Sequence, residues 1–150
     1  MGVLAVSALL FLLLPWLPAS GSEPLPRPVA VLFGLGGAAL LAFFVALPRR
    51  LGYALTPEGL QVSHFSATEV WPYASLDVVS VGGELGLKQV GVGVPGYYTG
   101  TYGWKGPEAK TVQALASTPR GGVLLRRAGK LYYLTPADPA AFVRALEEGA

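Results

Sequence analysis

Between Met1 and Pro48 the chain carries only two charged side chains, Glu23 and Arg27, and both fall in one short connector. On either side of it lie two apolar runs, GVLAVSALLFLLLPWLPA over residues 2–19 and PVAVLFGLGGAALLAFFVAL over residues 28–47, neither with an ionisable group. A helix of a soluble domain keeps one polar face for water, and these runs have none. As helices they would extend roughly 27 and 30 Å, against a hydrocarbon thickness of ~30 Å. The expectation is a transmembrane helical hairpin over residues 1–50. Its connector, SGSEPLPR, is too short for anything but antiparallel neighbours. Pro15 and Pro18 should kink or end the first helix, and Trp16 falls where an interfacial aromatic belongs. The competing reading of the first run is a cleaved signal peptide, with Ala19-Ser20-Gly21 supplying small residues. Against it, no Lys or Arg precedes the apolar stretch.

Arg49 and Arg50 follow the second run directly, and the excess of cations on cytoplasmic loops places them in the cytoplasm. Both termini are then cytoplasmic, and cleavage of the first run would leave the C-terminal domain on the same side. The protein is expected in the cytoplasmic membrane. The second run also carries a small residue at every fourth position, Ala30, Gly34, Ala38, Ala42 and Ala46. Positions i and i+4 stack on one helix face, and small side chains there let helices approach closely in lipid. Ala5 and Ala8 would face part of this ridge, or a partner protein would. Ala and Gly are also common enough in such spans for the ridge to arise by chance.

Residues 51–150 are different. From Arg49 onward there are ten Lys or Arg and eight Asp or Glu, an ordinary soluble balance and too mild to imply nucleic acid. With no Cys and a single His, His64, a thiol nucleophile, a disulfide framework and a Cys/His metal site are all disfavoured. Short strands are expected at residues 52–55, 60–65, 70–71, 76–81, 111–116, 122–127 and 130–135. Thr56-Pro57-Glu58-Gly59 has type I turn chemistry between the first two, and Ala128-Gly129 reads as a tight turn between the last two. Residues 82–106 read as a long Gly-rich loop. Asp138 is placed to cap a closing helix with Pro139 at its first position. Phe142, Val143 and Leu146 form its apolar stripe, and Arg144, Glu147 and Glu148 its wet face. This order suggests an α+β domain, a strongly bent sheet or open barrel capped by one helix.

The stretches YALTPEGLQV, WPYASLDVVSV, GVGVPGYYTGTYGW and VQALASTPRGGVLLRRAGKLYYLTPADPAAFVRAL together resemble the bacterial PH-like domain family. The likeness covers residues 52–147. Its most specific parts are Pro95-Gly96 with Gly100, and the closing run from Leu134 to Phe142. The resemblance implies two near-orthogonal antiparallel sheets capped by a C-terminal helix, often preceded by one or two membrane spans. It implies no catalytic residues.

Two surfaces are candidates for binding. The first is the aromatic, glycine-rich stretch Gly91, Gly93, Pro95, Gly96, Tyr97, Tyr98, Gly100, Tyr102 and Trp104, with Val92 and Val94. A long loop of this kind often carries function. Near a bilayer its aromatics would suit the interface, and against a protein they would suit an interface core. Equally, they would pack as core over the open end of the barrel. The same stretch formally matches GxGxxG, but that motif needs a helix opening behind it, and Tyr97-Tyr98-Thr99 follow instead. The second candidate is the basic group Arg120, Arg126, Arg127 and Lys130 around the last hairpin. Facing anionic lipid, each charge would gain ~1 kcal/mol. The plainer reading is a solvated hairpin tip.

Ser63, His64 and Asp77 have the residue types of a triad without a nucleophile elbow to orient them, and Glu69, Asp77 and Glu84 show no pairing. No catalytic residue, metal site or cofactor is expected. The function the sequence supports is a non-enzymatic, membrane-anchored PH-like module. It would bind a partner at the cytoplasmic surface: another membrane protein or a second copy, with membrane lipid as its surroundings and no nucleic acid. The alternatives are recognition of an anionic membrane surface and a small membrane-bound enzyme.

Overall fold

A computed structural model describes residues 26–149, so the first apolar run and its signal-peptide alternative lie outside the described residues. The chain divides into two compact units, Met1–Ala46 and Leu47–Ala150.

In the first unit, α1 spans Arg27–Ala46. Its 20 residues correspond to about 30 Å of helix. Together with the 3-10 turn Leu47–Arg50, this is a stretch long and apolar enough to cross a bilayer. Val31, Leu32, Phe33, Leu35, Leu40, Leu41, Phe43 and Val45 are all exposed. They project in every direction around the axis, a distribution that water penalises and lipid tolerates. Ala30 and Gly37 are buried and Gly34 is half-buried, whereas Ala38, Ala42 and Ala46 are exposed. The covered positions therefore follow a spacing of four then three residues. A strict four-residue ridge drifts around a 3.6-residue helix and leaves that stripe.

The second unit begins with a three-stranded antiparallel sheet, β1 (Gly52–Thr56), β2 (Gly59–His64) and β3 (Ala67–Trp71), in the order β1-β2-β3. Thr56 pairs with Gly59 around Pro57-Glu58, and the Thr56 hydroxyl donates to the Gly59 carbonyl at 2.8 Å. Leu60 and Val62 alternate inward and are buried, as the period-2 pattern requires. Strand β3 starts three residues earlier than its sequence indicates, because β2 ends at His64 and residues 65–66 turn the chain. Pro72 has no N–H to donate and ends β3, and a 3-10 turn, Tyr73–Ser75, leads on.

The second sheet holds β4 (Leu76–Val81), β5 (Leu85–Val94), β6 (Tyr97–Trp104), β7 (Thr111–Ala116), β8 (Val123–Arg127) and β9 (Lys130–Leu134). Their order is β4-β8-β9-β7-β6-β5. The two edge strands, β4 and β5, are consecutive in the chain and meet through Gly82-Gly83, both at positive φ. The extended chain there also bonds residues 119–122, with Gly82 N–H donating to Gly122 O at 2.8 Å and Leu85 N–H to Pro119 O at 2.8 Å. The sheet therefore curls toward closure. Two features correct the sequence reading. Residues 82–106 form a long β-hairpin, not a loop. And β9 inserts between β7 and β8, pairing parallel with β7 and antiparallel with β8, so the sheet is mixed.

The core lies on both faces of this sheet. Val123, Leu125 and Leu134 pack with Leu60, Val62 and Trp71 of the small sheet, and with Phe142 and Leu146 of α2 (Pro139–Glu148). Leu124 and Tyr133 point the other way, into the curl, against Leu85, Tyr102, Trp104, Val112 and Ala114. That explains the unbroken run Val123-Leu124-Leu125: a strand covered on both faces needs no polar alternation. Tyr53 ties the sheets together. Its hydroxyl donates to Leu115 O and accepts from Thr135 N–H at 3.2 Å.

Asp138 caps α2 by accepting from Ala141 N–H at 2.9 Å, with Pro139 at the first helical position. Asp138→Ala should lower stability by about 1 kcal/mol, measurable as a shift in urea midpoint at unchanged slope.

Candidate interaction surfaces

The aromatic hairpin is built by mutual fitting of glycines and rings. Gly91 faces Gly100 across the β5–β6 ladder, and both adopt positive φ. A side chain on either would run into the partner strand's backbone. Tyr102 reaches over Gly93, its hydroxyl donating to Val92 O at 2.7 Å. Tyr98 packs edge-on beside it, centroids 6.3 Å apart. Trp104 is buried against Tyr133, with centroids 5.4 Å apart, and its indole N–H donates to Glu108 at 2.6 Å. Val94, Tyr97, Tyr102 and Trp104 are all buried. Most of these aromatics therefore belong to the core, which leaves Pro95 and the half-buried Gly96 and Tyr98 as the accessible tip. The GxGxxG match lies on a strand and its turn, with no helix behind it.

Burial, and then the neighbouring Tyr98 phenol, push the Tyr102 pKa up to about 12. Tyrosine in an unfolded chain titrates near ~10. A raised folded value means that the native state holds this proton more tightly. The associated stability is complete below pH ~10 and is lost as pH rises toward and through the folded value. Burial also raises Tyr53 and Tyr133 in the same sense. Urea midpoints should therefore fall above pH ~10. Tyr102→Phe should lower stability at neutral pH by about 1 kcal/mol and flatten the alkaline decline.

The four cations of the second candidate do not form one patch. Arg120 pairs with Glu84 at 3.1 Å, and Lys105 joins the same carboxylate at 2.7 Å. These two partners, Lys105 first, hold the Glu84 pKa below its usual range. Arg127 pairs with Glu69 at 3.3 Å and lies 4.8 Å over the Trp71 ring. The Trp71 indole N–H, and then Arg127, keep Glu69 low as well. Arg126 is level with Asp77 across the β4–β8 ladder. Arg120 precedes β8, whereas Arg126 and Arg127 stand at its far end. Acidic partners and spacing both dilute the positive field.

The two candidate surfaces also face apart. Tyr98 is level with Ala116, and Leu115 with Leu134, whereas Arg127 is level with Lys130 at the other end of β9. Tyr98 and Lys130 are thus about 17 Å apart along the strand direction, and the Pro95-Gly96 and Ala128-Gly129 turns lie beyond them at opposite ends of their strands.

His64 has its Nδ1 3.2 Å from the Ser66 hydroxyl, and the Ser63 hydroxyl accepts from Thr68 at 3.1 Å. Asp77 lies on a different sheet, so the three residues do not form a relay. No group of three or more His, Cys, Asp or Glu side chains suited to a metal occurs among the described residues. A cleft of about 260 Å³ lies between β4 and α2, lined by Tyr73, Leu76, Asp77, Val78, Leu146 and Glu147. Its charged lining is acidic.

Sequence reasoning missed the place where the chain enters the domain. Leu47 is buried and Pro48 stands against the hairpin tip: a Cβ built on Gly96 would lie 3.2 Å from the Pro48 ring. Gly52 pairs with Ser63, which brings the chain in beside the β2–β3 turn. That turn is tied to the tip by Phe65 N–H donating to the Tyr97 hydroxyl at 3.1 Å. The available signal was Phe65, a large apolar residue among the small polar ones of a turn.

A family model described as bacterial PH domain matches residues 51–150. Neither the search of curated proteins nor that of solved structures finds a match.

Proposed function

The chain belongs to the bacterial PH domain family, and from that premise we propose that it is a non-enzymatic interaction module held at the cytoplasmic face of a membrane. The observation that carries this reading is α1, whose large apolar side chains are exposed on all sides. It runs through the 3-10 turn Leu47–Arg50, with one residue left before β1. Arg49 and Arg50 give the orientation, since cations flanking a span are retained in the cytoplasm. A second span over residues 2–19 would complete a helical hairpin and put both termini on that side. The partner is another membrane protein or a second copy, because a domain fixed beside a bilayer meets such surfaces at high effective concentration.

Two experiments test this. Alkaline carbonate extraction of membranes should leave the full-length chain in the pellet, and release into the supernatant overturns the anchor. In mild detergent the chain should run as a particle larger than one copy plus its micelle. A single-copy particle under all mild conditions overturns the partner. Recognition of anionic lipid by the basic hairpin is disfavoured, because Arg120 and Arg127 are already paired with carboxylates.

A further inference from the structure

The large sheet ends at β5, whose outer edge pairs with no strand among the described residues. At 10 residues it is the longest strand of the domain, and Lys88 is its one charge. Its register against β6 shifts between Lys88 and Val90, then runs unbroken from Val90 to Val94. Pro95 follows and has no N–H to continue a ladder. Alternate residues of such a run direct their backbone groups at β6, and the others direct theirs at the open edge. Protected edges interrupt that row with charges, prolines or bulges. Here the interruptions fall at Gln89 and Pro95 and leave the run between them bare. Val90 is 71% exposed, Val92 is half-buried and Val94 is buried.

Val90-Gly91-Val92-Gly93-Val94 reads the same in both directions. Paired antiparallel with itself about a two-fold axis at Val92, it sets valine against valine and glycine against glycine. Val90 meets Val94 of the second copy, Gly91 meets Gly93, and Val92 meets its own equivalent. Gln89 falls opposite Pro95, so the ladder stops at the same place on both copies. Lys88 falls opposite Gly96, about 26 Å along the strands from its own equivalent, so no like charges meet. The other free edge, β4, has no such run: its register breaks between Val78 and Ser80. From this self-complementarity we propose that the chain pairs with a second copy of itself, β5 against β5, through the run Val90–Val94. A two-fold contact of this kind closes on two copies and leaves no further edge to propagate. The proposal rests on the anchored interaction module and commits its partner to a second copy. The paired run extends only about 17 Å, short of what the ~1,200 Å² of a lasting soluble complex requires. The pairing therefore belongs to copies held in one membrane, where confinement favours association.

The chain has no Cys, so single cysteines report without background. Val92→Cys, Leu87→Cys and Val81→Cys of the full-length chain are each reconstituted in phosphatidylcholine bilayers at a high lipid-to-protein ratio and oxidised with copper phenanthroline. Val92→Cys should give a disulfide-linked dimer as its major species, because opposed residues of an antiparallel ladder have Cα atoms about 4.5–5.5 Å apart. Leu87 is 88% exposed on the same strand and Val81 is 55% exposed on β4, yet both variants should stay monomeric. If Leu87→Cys links as well as Val92→Cys, the contacts are random collisions and the proposal is overturned. Linkage through Val81→Cys alone would move the contact to β4 and overturn it too. Charge gives a second readout. Differently tagged copies of Val92→Lys should no longer co-purify in mild detergent, nor should those of Val92→Asp, and a mixture of the two should regain the pair. Undiminished self-association of Val92→Lys would rule out this edge. If wild-type copies resist carbonate extraction but neither link nor co-purify, the anchor stands and the second copy is not the partner. Release by carbonate would overturn the anchored reading on which the pairing rests.

Discussion

Gly91→Val is expected to cost ~3 kcal/mol or more, a large part of the 5–15 kcal/mol typical of a folded domain. Two effects add. At φ +123° a β-branched residue is strained by about 1–3 kcal/mol. Its Cβ would also collide with the Thr99 carbonyl and lie 2.8 Å from Gly100 Cα. Both obstacles are backbone of the paired strand, so no rotamer change relieves them. The hairpin would have to open at its middle, exposing Tyr102 and loosening the tip. Gly100→Val should behave alike, with φ +114° and Gly91 Cα 2.7 Å from the new Cβ. Because the two glycines share one close approach, the double variant should cost less than the sum. Gly52→Ala is the control. Nothing lies within 4 Å of its added methyl, and its effect should stay within about 0.5 kcal/mol. Urea denaturation of each variant decides. A Gly91→Val protein with a wild-type midpoint would mean that the strands do not approach as described.

Trp71→Ala should be comparably damaging, at about 3–5 kcal/mol. Trp71 is 1% exposed and sits between the small sheet and the large one. Its ring lies 4.7 Å from that of Tyr132, and the Arg127 guanidinium stacks on it at 4.8 Å. Its indole N–H donates to Glu69 at 2.9 Å. Truncation leaves a cavity between the sheets and removes the surface that holds Arg127 beside Glu69. Trp71→Phe separates these contributions, since it keeps most of the ring contact but loses the N–H. It should cost clearly less than alanine, and it should move the Glu69 pKa back toward the usual carboxylate range, which carbonyl NMR would report. If Phe and Ala were equally destabilising, the hydrogen bond and not the packing would be the dominant element.

Much of the domain was legible because its rules are local. The cap at Asp138, the strand at residues 76–81, the turn after Ala128 and the stripe Phe142, Val143 and Leu146 each depend on a few adjacent residues, and each stands where its sequence places it. The β5–β6 hairpin was not legible, for a physical reason. Its glycines fall where strands approach closely or where a ring crosses, so they erase the apolar alternation by which a strand is recognised. Paired Gly91 and Gly100, or Gly93 beneath Tyr102, have meaning only once the partner strand is known. The parallel pairing of β7 with β9 was hidden likewise, since neighbours in a sheet are set by long-range contacts. Among the candidate surfaces, the basic residues were correctly seen as clustered in sequence. The pairing of Arg120 with Glu84 and of Arg127 with Glu69 depended on strand order.

The position of β9 has a consequence for how the protein is made. Removing residues 130–134 from the order β4-β8-β9-β7-β6-β5 leaves two fragments, β4-β8 and β7-β6-β5, joined by no ladder and only by the bonds of residues 82–85 to residues 119–122. The strand that unites the sheet is thus made after every strand it joins. Chains emerge at roughly 5–20 residues per second, so a half-sheet with open edges persists until residues 130–134 have emerged. Residues 28–47 are available far earlier. A chain whose N-terminal segment is already committed to lipid would finish its sheet tethered and dilute in the plane of the membrane. There its unpaired edges are less able to find those of other unfinished copies.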